Sequence, residues 1–410
     1  DGVMRRTVRA WSSVATAASA AALGLATKAT AASSAAPSAC SQQETVRVIV
    51  DAGSGWSRIE ALAIGDGGCV STVAKRRLEA RPLAEVLAQR QAHRRSTNGS
   101  ELATTPAEWI AALKTSMESM GMASVPVLIG ATAGVRDALA NGSLSMEEVE
   151  RFRELLTREL EQGASFEILS GEEEATLEAR SCRFCAKRTF LARGDGGGVG
   201  MLSSGGMSSQ VVVPTTRGRD AVLSLETRLK SEGNRRMLED GVEAGLASYD
   251  AYLDREVLPK LVSTLAIEGA HRVGDSGTEG DAPTSITFVA IEILGGIGEK
   301  AGFGQTLVTV GEARELVGVL LADFEARASQ SPLAERDGWT WRDVVTGAAG
   351  LQFLRLLEAL PEDSLVYATR SFNMPQGHEI KPSWVLGKYL ELTRSDLPFI
   401  EEAWCFKRNR

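Results

Sequence analysis

The residues with the clearest chemical potential sit in short polar strings at the ends of apolar runs. Asp51-Ala52-Gly53-Ser54-Gly55-Trp56-Ser57 follows the β-branched run at 45–50, and Ser203-Ser204-Gly205-Gly206-Met207-Ser208-Ser209-Gln210 lies between Met201-Leu202 and Val211-Val212-Val213. A glycine turn between two strands exposes backbone N–H groups that can surround a phosphate, because glycine lets the chain approach closely. Two such turns facing each other would clamp a phosphate chain, with Gly53, Ser54, Gly55 and Trp56 on one side and Gly205, Gly206 and Met207 on the other. Between them lie Ala131-Thr132-Ala133-Gly134-Val135-Arg136 and Ser170-Gly171-Glu172-Glu173-Glu174. Carboxylates at a helix start suit the macrodipole, which accounts for Glu172 and Glu173. Glu174, at the mouth of the clamp, could orient and deprotonate a water for in-line attack on a terminal phosphorus. Ser208 and Gln210 have the hydroxyl and amide needed to hold that water. A divalent cation, Mg²⁺ or Ca²⁺, would bridge the phosphate oxygens, with Asp51 placed to hold it through waters.

These strings need strands and helices to carry them. Residues 45–50 read as a strand, and the polar/apolar alternation of 57–64 makes a second strand and therefore a hairpin. Residues 84–94 and 105–120 have helical spacing, with Thr105-Pro106 as a start signal. Residues 125–130 read as a buried strand and 146–161 as a helix, opened by Ser145 with Glu148 three positions on, a capping-box spacing. A strand at 166–169 then meets the helix that Ser170 opens. Strand, glycine turn, strand occurs twice, at 46–64 and at 200–213, which is the sign of an internal duplication. Residues 240–266 and 310–328 look helical, and the rest of the C-terminal half reads as helix-rich. The expected class is a two-domain α/β enzyme.

Composition narrows the function. The 410 residues carry a formal net charge of −8, and no folded stretch clusters Lys and Arg, so a nucleic-acid partner is not expected. His93, His271 and His378 lie far apart, and of Cys40, Cys69, Cys182, Cys185 and Cys405 only Cys182 and Cys185 have pair spacing. A Cys/His zinc site is therefore not expected, and the pair reads as plain helix residues or one local disulfide. Residues 4–43 hold Arg5, Arg6, Arg9 and Lys28, no Asp or Glu, and otherwise mostly Ala, Ser and Thr. That is a targeting composition, too short and alanine-rich for a strong membrane span, and membrane association is expected only through it.

The strings at 51–57, 131–136, 170–175 and 200–210, with Ser383-Trp384-Val385-Leu386-Gly387, resemble in order the five conserved regions of the apyrase and guanosine-diphosphatase family of nucleoside phosphatases. The resemblance spans about residues 46–390. That family belongs to the actin, Hsp70 and hexokinase superfamily, so it implies two ribonuclease-H-like α/β domains with the active-site cleft between them: 44–168 plus 380–410 as domain one and 169–379 as domain two. It implies metal-dependent hydrolysis of nucleoside di- or triphosphates. Glu174 would be the base, Ser208 and Gln210 would position the water, and Ser54, the backbone of 53–56, Thr132 and 205–207 would bind phosphate. Asp51 would organise the metal and Trp384 would pack the returning C-terminal helix. In place of the family's fourth-region aspartate stands Ser203, a weak metal contact. A nucleotide-binding protein with impaired turnover is one alternative. Ser170-Gly171-Glu172-Glu173-Glu174-Ala175 also resembles exopolyphosphatases, which makes polyphosphate another. No protein partner is implied, and the secretory pathway, as Golgi lumen or extracellular, is the expected compartment, with plastid the alternative.

Overall fold

The computed structural model describes residues 46–64, 70–88, 105–160, 163–189, 198–205, 208–214, 220–226, 242–267, 286–329, 341–374 and 377–394. The expected targeting segment 1–43, Gly206, Met207, Cys40, Cys69 and Cys405 lie outside the described residues.

Two sheets carry the fold. In lobe one, β1 (Arg47–Ala52), β2 (Ser57–Ile64), β3 (Val70–Arg77), β4 (Val127–Ala131) and β5 (Ala164–Ile168) stand in the order β3-β2-β1-β4-β5. The first three strands form an antiparallel meander, and β4 and β5 add to β1 in parallel. In lobe two, β6 (Val199–Ser204), β7 (Ser208–Val213), β8 (Ala221–Glu226), β9 (Thr287–Ile291) and β11 (Leu365–Ala368) repeat the order as β8-β7-β6-β9-β11 with the same strand directions. A short β10 (Leu307–Thr309) adds an antiparallel edge to β11. The duplication read from the glycine turns is thus a duplication of whole sheets. Asp51, opposite Arg58 and Gly130, occupies in lobe one the slot that Ser203, opposite Gln210 and Ile291, occupies in lobe two.

The outer face of sheet one is covered by α1 (Leu83–Leu87), α2 (Pro106–Ser119), α3 (Ala133–Ala140) and α4 (Met146–Glu159). Helices α2 and α4 start where their capping boxes dictate, with Thr105 and Ser145 each exchanging hydrogen bonds with the glutamate three residues on. Trp109, Phe152 and Phe166 meet edge to face beneath them, with ring centroids 5.9 and 5.2 Å apart. The outer face of sheet two is covered by α6 (Val242–Tyr252), α7 (Leu258–Ile267), α8 (Glu292–Lys300), α9 (Val310–Ser329) and α10 (Trp341–Ala359). The single helix expected at 240–266 is two, α6 and α7, joined by a π-helical turn at Leu253–Val257.

Between the sheets lie α5 (Gly171–Thr189), packed on β6, β7 and β8, and α11 (Trp384–Arg394), packed on β1 and β2. The two-stranded β12 (Phe372–Asn373) and β13 (Glu379–Ile380) lead into α11. Ile49, Leu62 and Leu128 of sheet one and Met201, Val212, Val289 and Ile291 of sheet two share one core with Leu177, Val385 and Tyr389 of these helices. Cys182 and Cys185 are free thiols buried in it, so no local disulfide forms. The helices cross closely at Gly387, where a β-carbon would stand 1.9 Å from the Leu177 carbonyl oxygen. Leu177 meets Gly387, and Arg180 pairs with Glu391 at 3.2 Å, so the helices run parallel and both N-termini come to the same end of the cleft.

Strands β8, β9, β10 and β11 are not apparent in the sequence pattern. A buried run such as Thr287–Ile291 has neither period 2 nor period 3.6, and short apolar runs do not distinguish strand from helix.

Substituting Gly387→Ala should lower stability by about 1–3 kcal/mol, the usual cost of overpacking. Thermal melts check this, and an unchanged melting temperature would mean that the helices can separate freely.

Candidate active site

The first glycine turn is built onto the start of α3. Ser54 lies directly over Gly134, where a β-carbon would come within 2.8 Å of Ser54 Cα, and the Thr132 N–H donates to the Ala52 carbonyl at 3.4 Å. Thr132 is buried and is the N-cap residue of α3, yet its hydroxyl makes no capping hydrogen bond. The helix N-terminus therefore keeps its first N–H groups for a ligand, and such a terminus beside a glycine turn suits an anion. Gly53, Gly55 and the exposed Trp56 complete the turn, with the guanidinium groups of Arg58 and Arg77 over the Trp56 ring at 5.7 and 5.5 Å from its centroid. In lobe two, the Gly205 N–H donates to the Ser208 carbonyl at 2.8 Å and closes the matching turn.

Alternation along β6 and β7 puts Ser203, Ser208 and Gln210 on the same face as Met201 and Val212, which belong to the core between the sheets. All three are buried, Ser203 directs its hydroxyl at the Glu178 carboxyl, and Gln210 Nε2 has no hydrogen-bond partner. Across the cleft, Asp51 is gripped from two sides: Trp384 Nε1 donates to Oδ1 at 3.1 Å and Arg58 to Oδ2 at 3.3 Å. The Trp384 ring lies against Gly130, which has no room for a β-carbon. Trp384 thus does more than pack the returning helix, because it also orients the Asp51 carboxylate.

Glu174 sits in the first turn of α5, 7% exposed. Both terminal nitrogens of Arg136 donate to its Oε2 at 3.1 Å, and Arg136 Nη1 also donates to the Leu169 carbonyl at 2.6 Å. Burial, with the negative charges of Asp51 and Glu292, raises the Glu174 pKa to about 7 against the pull of Arg136. Its neighbour Glu173 has a different task, accepting from the Ser170 N–H at 2.8 Å as the capping glutamate, and those hydrogen bonds lower its pKa. One turn beyond Glu174, Glu178 is buried facing Glu174, Glu292 and Ser203, whose hydroxyl lies against its carboxyl. Burial and the two neighbouring carboxylates hold its pKa well above the usual range. Burial raises the pKa of Asp51 too, over the opposing effects of Arg58 and Trp384.

The cleft therefore gathers Asp51, Thr132, Glu174, Ser203, Ser208 and Gln210 from the residues predicted by sequence and adds Arg58, Arg136, Glu178, Glu292 and Lys381. Arg136 and Glu178 each lie one helical turn beyond an expected site residue, Thr132 and Glu174, and that spacing could have found them. Glu292 and its partner Lys381, 2.8 Å apart, carry no local motif.

No family model and no curated protein matches the chain. Solved structures do. A Ppx/GppA family member from Aquifex aeolicus superposes with a TM-score of 0.55 at 15% identity, covering 86% of this chain and 99% of that one. An exopolyphosphatase from Cytophaga hutchinsonii gives 0.50 at 13% identity, with 85% and 98% covered. Nucleoside triphosphate hydrolases from Neospora caninum give 0.50 at 12%, with 85% and 92% covered. This chain has their two-domain, actin-like fold. At such identities the likeness is one of fold, and the chemistry rests on the side chains in the cleft.

A divalent cation is tested against those side chains. Among the described residues no three His, Cys, Asp or Glu side chains close on one another as a direct ligand set, and both Asp51 oxygens already accept hydrogen bonds. A stripped ion has no ready cage. An ion that keeps most of its water, as Mg²⁺ does, needs only carboxylates facing a shared volume and orphaned polar atoms to receive its waters. Asp51 and Glu292 lie close enough to Glu174, and Glu174 and Glu292 close enough to Glu178, to raise the pKa of each, and the buried Gln210 Nε2 is an orphaned atom on the same face. The residues fit a hydrated cation.

Crowded buried carboxylates make stability depend on pH. The folded-state pKa of Glu178 lies above its unfolded value of 4.5, so its contribution is fully present below about pH 4.5 and is lost as pH rises toward the folded value. In the absence of divalent cations, Glu178→Gln should therefore melt several degrees above wild type at pH 8 and close to it at pH 4.5. A pH-independent difference would remove Glu178 from this account.

Proposed function

We propose that the chain hydrolyses the terminal phosphoryl group of a nucleoside di- or triphosphate with a water activated by Glu174. The observation that carries this reading is the placement of Glu174: a buried carboxyl at a helix start, fixed by Arg136, with a pKa of about 7, facing an anion-suited turn. A base whose pKa lies near neutral pH is ionised often enough to accept a proton and basic enough to take it.

Each residue then has a task. The turn at 53–56 and the open N-terminus of α3 bind the terminal phosphate oxygens. Thr132, whose hydroxyl caps no helix bond, supports the same group. Ser208 and Gln210 hold the attacking water, and the unpaired Gln210 Nε2 is the donor available for it. Glu174 takes the water's proton as the water attacks in line with the leaving phosphate oxygen, so no covalent phosphoenzyme forms. Arg136 keeps Glu174 ionised and pointed. Asp51 and the carboxylates around it would hold a hydrated Mg²⁺ or Ca²⁺ through its waters, and such an ion would supply positive charge for the phosphate oxygens.

Inorganic polyphosphate is a second reading, and one feature favours it. Beside the site is a cavity of about 380 Å³ walled by Lys75, Arg370 and Lys381 with Glu60 and Glu379. Its charged groups suit a phosphate tail, and it has no aromatic wall for a base. The targeting composition of 4–43 goes with a secretory compartment, as Golgi lumen or extracellular, or with a plastid.

Phosphate release from ATP, ADP, GDP and polyphosphate, with Mg²⁺, Ca²⁺ or chelator, separates the two readings. Binding without turnover on every substrate would overturn both. Glu174→Gln should retain substrate binding and lose about 10²–10⁴-fold in rate, the usual size of a lost general base. In wild type the rate should rise with pH through about 7, because Glu174 works ionised. Arg136→Gln should move that rise to higher pH, because burial then acts unopposed.

A further inference from the structure

Lobe two lacks a carboxylate in the slot where lobe one has Asp51, because Ser203 occupies it. A carboxylate stands on the neighbouring strand instead. Glu292 directly follows β9, whose Ile291 pairs with Ser203, and Glu292 itself makes a parallel bridge to Ser204. Its backbone is left-handed, with φ of 56°. That conformation is uncommon outside glycine, and backbone strain of this kind collects at functional sites. Lys381, just before α11, takes Glu292 Oε2 at 2.8 Å and holds the side chain at the cleft, where a quarter of it remains exposed. Beside it, Ser203, 1% exposed, directs its hydroxyl at the Glu178 carboxyl, and Gln210, paired with it on β7 and also 1% exposed, keeps an unpartnered Nε2 on the same face.

We propose that Glu292 is the lobe-two carboxylate of a divalent-cation site, facing Asp51 across the cleft and holding the ion through its waters in place of the carboxylate that Ser203 cannot supply. The inference rests on the phosphohydrolase reading only for the presence of the cation. Chemically the pair works as a division of labour. Asp51 is pinned by Trp384 and Arg58, while Glu292 has the more exposed position from which it can accept hydrogen bonds from water bound to an ion. The Ser203 hydroxyl receives one further bound water without adding charge. Lys381 neutralises Glu292 when the cleft is empty.

The test is Mn²⁺ binding to the full chain, followed by electron paramagnetic resonance without substrate. Glu292→Gln should weaken binding about 10- to 100-fold, the usual cost of losing a group that orders a metal's outer shell. Adding Ser203→Asp to that variant should restore it, because the carboxylate returns to the slot equivalent to Asp51. Melting curves of both variants confirm folding. Wild-type affinity in Glu292→Gln, or no Mn²⁺ binding by wild type, would overturn the inference. Chelator-sensitive phosphate release by wild type, alongside unchanged Mn²⁺ affinity in Glu292→Gln, would overturn the inference and leave the phosphohydrolase reading standing.

Discussion

The contact between α5 and α11 sets everything else in place. With only hydrogens at Gly387, the two helix backbones approach until Leu177 and Gly387 touch, and no larger residue allows that approach. Because the helices run parallel, one contact carries two consequences at the same end. It brings Glu174, in the first turn of α5, beside Trp384, the first residue of α11, and Trp384 in turn holds Asp51. Ion pairs farther along, Arg180 with Glu391 and Lys388 with Glu167, and the bidentate Arg183–Asp220 pair that ties α5 to sheet two, fix the helices lengthwise. Partly exposed pairs like these add little stability, so their role is register: a slip of one turn would carry Glu174 out of the cleft along α5 or pull Trp384 away from Asp51 along α11.

The electrostatics of the cleft run against stability. Four carboxylates, Asp51, Glu174, Glu178 and Glu292, face one another, with Arg58, Arg136 and Lys381 as the partners the structure gives them. Water would solvate these groups better than the folded chain does, which is why burial is the largest cause raising the pKa of Asp51, Glu174 and Glu178. An arrangement that costs folding energy yet is built from interlocking contacts is easiest to understand as one completed by a ligand. A cation removes the repulsion among carboxylates, and an anionic phosphate balances the cation, so the pair fits where neither would alone. The buried Gln210 Nε2, on the same face as Ser203, has no partner within the chain.

How much of this is legible in the sequence follows from the range of each interaction. The capping boxes at Thr105 and Ser145, the hairpin at 46–64 and the helix opened by Ser170 depend on residues within a few positions, and the structure contains them. The repeated glycine turn revealed the duplication because both copies kept the residues that a tight turn requires. What the sequence hides is partnership at a distance. Arg136 meets Glu174 across 38 positions and Lys381 meets Glu292 across 89, and neither distance leaves a spacing to read. The strand that delivers Glu292 is five residues long, Thr287 and then four apolar ones, too short for a period, so neither the strand nor the residue after it stands out. Asp51 and Ser203 lie in the cleft, and the carboxylates nearest them come from α5 and from the end of β9.

The repeat also explains why the two halves are chemically unequal. A duplicated sheet gives two equivalent slots at the ends of β1 and β6, and symmetric occupancy would put two carboxylates face to face with no distinction between them. With Ser203 in the lobe-two slot the charge there is lower and a hydroxyl remains, and Glu292, at the end of the adjacent strand, places a carboxylate to one side. Glu174 lies at the junction of the halves, on the helix that follows β5 of lobe one and packs against lobe two. Its distance from each turn therefore changes when the lobes move relative to one another. On the proposed reading, with Glu174 as the base and the phosphate-binding turns divided between the lobes, alignment would depend on closure, and water activation would be confined to the state in which both turns grip the same phosphate chain.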